Sequence, residues 1–171
     1  MKNSEIKIVL LLGGASPERN ISKKSAKSVY KTLIELGYTV TPLDPAYGKN
    51  QPEDTAMYFA DEDFATVSVT KYPEVLNPEY LKETDLVFNI IHGEWGEDGT
   101  VQSLLEMCGV KYTGSGVLSS AAAMDKALSK ILFRHAGVPT ADWVLLDKNE
   151  FAAEMNEKEV ADKIGYPCVI K

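Results

Sequence analysis

The sequence DLVFNIIHGEWGEDG, residues 85–99, gives the clearest indication of the fold. Its first seven residues form a nearly continuous apolar run, typical of a strand that is covered on both faces of a sheet. The run ends at a polar turn with three glycines, which let the backbone approach a ligand closely. Because ligands bind beyond the carboxyl ends of strands in open α/β sheets, we expect a ligand site at this turn. Glu97, Asp98 and Thr100 are well placed to cap and charge the helix that follows.

The N-terminal region has the same design of strand, glycine turn and helix. Residues 6–12 are apolar and rich in β-branched side chains, and residues 13–19 turn out of the predicted strand. Apolar positions at helical spacing then predict a helix that begins near Ser22 and ends at Gly37. Residues 38–43 alternate like a second strand, and a right-handed crossover favours parallel pairing with the first. The predicted fold class is α/β, with an open, mostly parallel sheet flanked by helices.

Residues 44–84 interrupt this pattern with prolines and polar residues. Within them, residues 64–69 alternate like a strand or hairpin, and residues 78–83 are typical of one helical turn. A change of character after Pro139 predicts a boundary between one α/β domain and the opening of an α+β domain. The later pattern predicts a helix at 100–109, a strand at 110–113, helices at 118–124 and 125–136, a strand at 143–146, a helix at 150–164 and a turn into a strand at 165–171.

Composition places the chain among soluble globular proteins, with 44% hydrophobic and 25% charged residues. Eighteen basic and twenty-five acidic side chains give a net charge of −7, which argues against a nucleic-acid or anionic-membrane surface. Cys108 and Cys168 lie in apolar runs and are expected to be buried free thiols in a reducing compartment. The apolar N-terminal run is too short for a membrane span and lacks a signal-peptide cleavage pattern, so we expect a cytoplasmic protein.

Two polar residues lie near predicted strand ends, where a ligand would bind. Glu18 precedes a helix with a basic first turn, and it either complements the helix dipole or holds an ammonium group in the cleft. His92 ends the buried strand, where it is either satisfied by the backbone or hydrogen-bonded to an anionic substrate. The other histidine, His135, lies beside Arg134 at a helix C-terminus, which favours an interaction with the helix dipole. The residues alone leave the choice for Glu18 and His92 open.

The remaining candidates carry weaker signals. Residues 114–116, GSG, either cradle an anion at a helix N-terminus or form a bare turn. Lys126 and Lys171 lie at the ends of predicted elements, where isolated lysines are normally solvated. The glycine clusters fit neither the P-loop nor the dinucleotide-binding pattern. Distant histidines and unclustered cysteines predict no metal site in this chain.

Together, four motifs resemble the D-alanine-D-alanine ligases, ATP-grasp enzymes that make a dipeptide for bacterial peptidoglycan. Their order and internal spacing are similar to that family's Rossmann-like, pre-ATP-grasp N-terminal domain and the first strands of its central domain. The resemblance implies a substrate-binding domain at 1–139 and the start of the ATP-grasp central domain at 140–171. The motifs are LLGGASPERNIS (11–22), HGEWGEDGTVQSLLEMCGVKYTGSG (92–116), AMDKALSKILFRHAGVPTADW (123–143) and GYPCVIK (165–171).

The resemblance implies roles for four residues in binding the first D-alanine. Glu18 would take its ammonium group, and Ile21 would line the pocket for its methyl group. His92, followed by Gly93, would lie against its carboxylate. Glu18 and His92 are therefore the implied catalytic residues.

Two lysines look like those that hold the phosphates of ATP, namely Lys126 and Lys171. A lysine facing phosphate is chemically sensible because it offsets charge during phosphoryl transfer. In such a ligase ATP would phosphorylate the carboxylate of the first D-alanine, and the amine of a second D-alanine would attack the acyl phosphate. Mg²⁺ would bridge the phosphate oxygens, held by ligands expected after Lys171.

In the family that the chain resembles, much of the ATP site lies after the point that matches Lys171. We therefore expect a truncated chain that is inactive alone, an expectation that its end inside a predicted strand supports. One alternative is a naturally short, non-catalytic binding or assembly protein. Another is a ligase that uses D-lactate or D-serine as its second substrate. The resemblance also suggests a homodimer.

Overall fold

The computed structural model describes residues 2–145 and 157–169 of the chain. The chain divides into two compact units, Met1–Met124 and Asp125–Lys171. The first unit contains a parallel sheet and its helices, and the described part of the second contains further helices. The two domains expected at 1–139 and 140–171 stay a prediction.

The described residues of the first unit form a three-stranded parallel sheet with the order β2-β1-β3. The strands are β1 (Lys7–Leu11), β2 (Thr39–Leu43) and β3 (Leu86–Asn89). The predicted α/β class with an open parallel sheet is confirmed. In register, Ile8 pairs with Val40 and Leu86, and Leu11 pairs with Leu43 and Asn89.

The helices begin close to where the sequence pattern predicts them. In the first unit, α1 begins at Arg19, three residues before the predicted start at Ser22. The pattern placed Arg19 at the end of the turn, whereas in the folded chain it is the first residue of α1 and is buried in ion pairs. The predicted strand at 110–113 is reduced to a single parallel bridge between Val87 and Tyr112. The helices are α1 (Arg19–Glu35), α2 (Thr100–Met107), α3 (Val117–Met124), α4 (Lys126–His135) and α5 (Glu157–Lys163).

Apolar side chains cover both faces of the sheet, as the continuous apolar runs predict. In β1 and just after it, Leu11 belongs to one apolar cluster, and Leu10 and Leu12 belong to the other. Because both faces of the sheet are buried, the strand register is fixed. A slip of one residue would move the side chains of each cluster to the opposite face. The first cluster also contains Val87, Val101 and Leu105, and the second contains Ala26 and Tyr58.

The connection between β2 and β3 is built from short 3-10 helices, and the strand predicted at 64–69 is wrong. In each of these helices an Asp or Ser at the N-cap accepts a hydrogen bond from the amide two residues later, which favours a tight turn over an extended strand. A hydrogen bond from Leu81 N to Asn77 O confirms a helical turn near the prediction at 78–83. The 3-10 helices are Pro45–Tyr47, Thr55–Phe59 and Val69–Glu74, with caps Asp44, Asp54 and Ser68.

A network of buried charges fastens this connection to α1. The Arg19 guanidinium contacts Asp44 Oδ2 at 2.6 Å and Asp63 Oδ1 at 2.7 Å, and Lys23 Nζ contacts the same Asp63 oxygen at 2.7 Å. The Arg19, Lys23 and Asp44 side chains are at most 9% exposed. The Arg19 guanidinium also lies 4.8 Å from the centre of the Tyr47 ring. Breaking this network would leave a buried charge without its counterion.

Because Asp63 can be protonated, we expect the stability that this network provides to depend on pH. Burial opposes its ionisation, but Lys23 and Arg19 outweigh that effect and hold the pKa of Asp63 below its usual value of 3.8. Its stabilising contribution is therefore complete above that value and is lost as the pH falls through the lower pKa of the folded state. We expect the difference in unfolding free energy between the wild-type chain and Asp63→Asn to be large at pH 7 and to shrink below about pH 4.

Urea unfolding of both proteins across this pH range measures the difference. Asp61→Asn, which changes an exposed carboxylate on the same segment, is the matched control and should show little change at any pH. A difference between wild type and Asp63→Asn that stays constant from pH 7 to pH 3 would contradict the ion pairs of Asp63.

The second unit is described at α4, α5 and the segment that follows α4. The predicted helix at 125–136 is confirmed, and Asp125 caps it by accepting a hydrogen bond from Leu128 N at 2.9 Å. The Trp143 ring lies against α4, 4.3 Å from the Arg134 guanidinium. In the strand predicted at 143–146, residues 143–145 are irregular and residue 146 lies outside the described residues. In the turn and strand predicted at 165–171, residues 165–169 contain no strand, and residues 170 and 171 lie outside the described residues.

Two further expectations concern the thiols and the membrane. Cys108 and Cys168 are free, as predicted, but each is half-buried rather than fully buried. Partial burial raises the pKa of the Cys108 thiol, which disfavours its reactive thiolate. Across residues 2–145 and 157–169, no helix has the length and apolar character that crossing a membrane requires.

Candidate functional site

The candidate site lies where the segments after β1 and β3 meet. Both strands end at the same edge of the sheet because they are parallel and in register. The chain leaves β1 through Gly13 and Gly14 to reach Glu18, and it leaves β3 through Ile91 to reach His92. A side chain added at Gly14 would clash with Ile91 at 2.7 Å, so glycine is required for this approach. The fold thus brings the two predicted site segments into contact.

The Glu18 side chain lies against the backbone of the turn that contains His92. It occupies the N-cap position of α1, but its side chain makes no capping hydrogen bond. A Cβ atom built on Gly93 would lie 3.1 Å from Glu18 Oε1, which places the carboxylate directly beside Gly93. The side chain is exposed on its other side. This arrangement favours a carboxylate that faces a ligand over one that only caps the helix.

His92 presents an unpaired nitrogen at the same place. The residue is half-buried, and its Nε2 atom is buried without a hydrogen-bond partner among the described residues. A buried polar nitrogen costs roughly 1–3 kcal/mol when it is left unpaired, so a bound ligand or water is its expected partner. The backbone carbonyl of His92 is already satisfied, because Ser16 Oγ donates to it at 2.6 Å. The ring nitrogen Nε2 is therefore the atom of His92 that a ligand or water would pair with.

The turn that carries His92 is held by two carboxylates. Glu97 Oε2 accepts from Gly93 N at 2.6 Å, so Glu97 binds the turn rather than the helix that the sequence expectation assigned to it. Asp98 accepts from Trp95 N at 2.8 Å and from Thr100 N at 3.0 Å, which confirms its predicted position at the start of α2. Burial opposes the charge of Asp98, but these backbone hydrogen bonds outweigh it and lower its pKa. They also hold Trp95 at a φ of 70°, which is unusual for a bulky residue.

A family comparison agrees with this geometry. The family model described as "D-ala D-ala ligase N-terminus" matches residues 7–115, which span the sheet and both turns of the site. The chain belongs to this family. The matched residues span most of the N-terminal α/β unit described above.

Individual relatives support the same family. The chain is 38% identical over all 171 residues to a D-alanine--D-alanine ligase of Syntrophobacter fumaroxidans, of which it covers 46%. It is also similar to the crystal structure of the D-alanine--D-alanine ligase from Bacillus anthracis complexed with ATP, with a TM-score of 0.63 and 29% identity. That match covers 92% of this chain and 42% of the other. The chain therefore spans about half the length of the ligases it matches.

Of the three other side chains expected in the site, the structure describes Ile21 and Lys126 but not Lys171. Ile21 lies in the first turn of α1, three residues after Glu18, and is 56% exposed. Lys126 begins α4 in the second unit and is exposed. Lys171 lies outside the described residues. The structure adds Ser16, which the sequence expectation missed because a serine in a turn is ordinary.

Gly93 gives a direct test of the contact with Glu18. It adopts a φ of 75°, where an added methyl group would also lie 3.1 Å from Glu18 Oε1 and 3.2 Å from Ser16 Oγ. We expect Gly93→Ala to lower the unfolding free energy by about 1–2 kcal/mol through backbone strain and to displace the carboxylate as well. Denaturant unfolding measures the first effect, and the NMR resonance of the Glu18 carboxylate measures the second.

Gly109→Ala is the matched control for Gly93→Ala. Gly109 adopts a similar φ of 68°, but an added Cβ there would meet nothing within 4 Å. The control should share the loss of stability and leave the resonance of the Glu18 carboxylate unchanged. Equal effects of the two substitutions on that resonance would contradict the contact between Gly93 and Glu18.

Proposed function

We propose that this chain is the substrate-binding front part of an ATP-dependent ligase that joins two D-alanines into D-alanyl-D-alanine for peptidoglycan synthesis. Family membership and the names of the relatives support the reaction. The observations that carry the proposal for this chain are the Glu18 carboxylate beside Gly93 and the unpaired Nε2 of His92, the residue that precedes Gly93. A carboxylate can bind the ammonium group of a free amino acid, and a nearby hydrogen-bond donor can bind its carboxylate.

The chemistry of D-alanine fits these residues in a defined orientation. Its ammonium group would pair with the Glu18 carboxylate, since a charged donor and a charged acceptor form the strongest hydrogen bonds. Its carboxylate would accept a hydrogen bond from His92 Nε2, which would relieve the unpaired nitrogen. Its methyl group would face Ile21, whose side chain is exposed on the first turn of α1. Glu18 and His92 would orient the substrate carboxylate for activation.

The proposed reaction proceeds through an acyl phosphate. ATP would supply the phosphoryl group that activates the carboxylate of the first D-alanine, and the amine of the second D-alanine would displace phosphate. Within the described residues, no cluster of three His, Cys, Asp or Glu side chains could hold a metal ion. Lys126 is the first residue of α4, directly after its N-cap Asp125, and its side chain is exposed.

The proposal also covers the cellular location, the oligomeric state and the nucleotide contacts of the whole ligase. We propose a cytoplasmic homodimer that acts in cell wall biogenesis and the maintenance of cell shape, with Lys126 and Lys171 reaching the nucleotide. These parts rest on the family alone. The 171-residue chain itself should bind D-alanine and release no phosphate from ATP, which a phosphate-release assay with ATP and D-alanine measures.

NMR of the histidine rings tests the proposed binding directly. The chain has two histidines, His92 and His135, so His135→Gln leaves His92 as the single imidazole signal. D-alanine should shift the His92 resonances in a saturable manner, and L-alanine should shift them less because its methyl group cannot face Ile21 in the same orientation. Identical responses to both enantiomers, or no response to either, would overturn the proposed D-alanine site.

A further inference from the structure

Two serine hydroxyls join the segment after β1 to the segment after β3. Ser16 Oγ donates to the His92 carbonyl at 2.6 Å and accepts from Glu18 N at 3.2 Å. Ser22 Oγ donates to the Ile90 carbonyl at 2.8 Å and accepts from Gly13 N at 2.9 Å. Each hydroxyl therefore connects one backbone group from each segment, and both serines are buried.

The two serines differ in what they connect. Ser22 links Gly13 to Ile90, which carry no group proposed to touch the substrate. Ser16 links Glu18 to His92, which are the two residues proposed to bind D-alanine. A Cβ atom on Gly93 would lie 3.2 Å from Ser16 Oγ and 3.1 Å from Glu18 Oε1, so the hydroxyl and the carboxylate lie against the same glycine. Ser16 therefore contacts the backbones of both candidate binding residues.

We propose that Ser16 is a positioning residue that fixes the distance between the Glu18 carboxylate and the His92 imidazole. This inference rests on the proposed function. In an amino acid, the ammonium and carboxylate groups are attached to one carbon atom, so the two protein groups that hold them must keep a fixed spacing. One atom that binds the backbones of both residues supplies this spacing without touching the ligand.

The test compares Ser16→Ala with Ser22→Ala in the 171-residue chain. Each substitution removes one buried hydroxyl and leaves a similar carbonyl and amide without that partner, so both should lower the melting temperature. D-alanine titrations followed by NMR should show an increase in Kd of about tenfold for Ser16→Ala, because one of the two protein groups that hold the ligand loses its hydrogen-bonding position. The Kd of Ser22→Ala should stay within about threefold of wild type.

A second measurement needs no ligand and reports on the positioning itself. Because the Glu18 carboxylate lies against Gly93, Glu18→Gln should shift the Gly93 amide resonance in the wild-type and Ser22→Ala backgrounds. In the Ser16→Ala background this shift should be much smaller, because the two segments are no longer held together.

The outcomes separate the positioning role from the proposed function. An equal Gly93 shift in all three backgrounds would overturn the positioning role, whatever the chain binds. Equal weakening of D-alanine binding by Ser16→Ala and Ser22→Ala would overturn it too, since both would then act only through stability. A wild-type chain that shows the Gly93 coupling and does not bind D-alanine would overturn the proposed function and support the positioning role.

Discussion

Glu18→Gln is expected to weaken D-alanine binding to this chain by about 10- to 100-fold. The substitution keeps the size of the side chain and removes the charge that would pair with the substrate ammonium. The structure gives Glu18 no capping role that could account for such a loss, because its side chain makes no hydrogen bond to the start of α1. Titration of the chain with D-alanine, followed through the His92 ring resonances, measures the effect.

The control for this prediction lies in the neighbouring turn. Glu94 is an exposed carboxylate two residues after His92, and Glu94→Gln removes the same charge from the chain. If general electrostatic attraction produced the binding, the two variants would weaken it alike. We expect Glu94→Gln to bind D-alanine as the wild type does and both variants to unfold at nearly the wild-type denaturant concentration. Wild-type affinity in Glu18→Gln would remove Glu18 from the binding site.

The sequence predicts the convergence of Glu18 and His92 because both depend on strand positions. Apolar runs identify β1 and β3, and parallel strands place their carboxyl ends at one edge of a sheet. Any polar residue in the first turn after either strand is therefore a candidate for the same site. The pattern does not say which of these residues face each other. Their functional roles, taken from the family resemblance, stay predictions.

The connection between β2 and β3 shows why other elements were missed. Residues 64–69 alternate in polarity, which favours a strand when a neighbouring strand is available to pair with it. The chain instead packs Tyr72 and Val75 into the core through a 3-10 helix. Asp44, Asp54 and Ser68, which cap the short helices, were readable as turn signals. In the folded chain these caps outweigh the hydrophobic alternation of residues 64–69.

The buried charges are the feature that local patterns could not predict. Arg19 and Lys23 lie one helical turn apart in α1, where basic residues normally indicate a solvated face. Their burial depends on Asp44 and Asp63, which are distant in sequence and approach only in the folded chain. Hydrophobic periodicity reports only on residues within one helix or strand. It therefore cannot predict that a residue of a different segment supplies the counterion of a buried charge.

Asp44→Asn is expected to lower the unfolding free energy by about 3–5 kcal/mol, the usual cost of removing one partner of a buried ion pair. Asp44 is 1% exposed and contacts Arg19 Nη2 at 2.6 Å. Asparagine keeps an oxygen to accept from Gly14 N and Ala46 N, so the substitution removes mainly the charge. Burial raises the pKa of Asp44 and Arg19 opposes this rise. Urea unfolding at pH 7 measures the loss.

A double-mutant cycle separates the ion pair from other effects of the substitutions. Arg19→Met with Asp44→Asn should cost less than the sum of the single variants, because neither partner is then left as an unpaired buried charge. Strict additivity would contradict the pair. Glu83→Gln provides the exposed comparison, since Glu83 pairs with Lys7 at 2.7 Å with 72% of its side chain exposed, and it should scarcely change the midpoint.

The same ion pair should also affect the candidate site through Gly14. Asp44 Oδ1 accepts from Gly14 N at 3.1 Å, and Arg19 Nη1 donates to the Gly14 carbonyl. Both backbone groups of Gly14 are therefore held by the pair, two residues before Ser16. We expect Asp44→Ala, which removes the oxygen that accepts from Gly14 N as well as the charge, to weaken D-alanine binding even at temperatures where the chain stays folded, because the turn that carries Ser16 and Glu18 loses that support. Unchanged affinity in a folded Asp44→Ala chain would limit the buried charges to a role in stability.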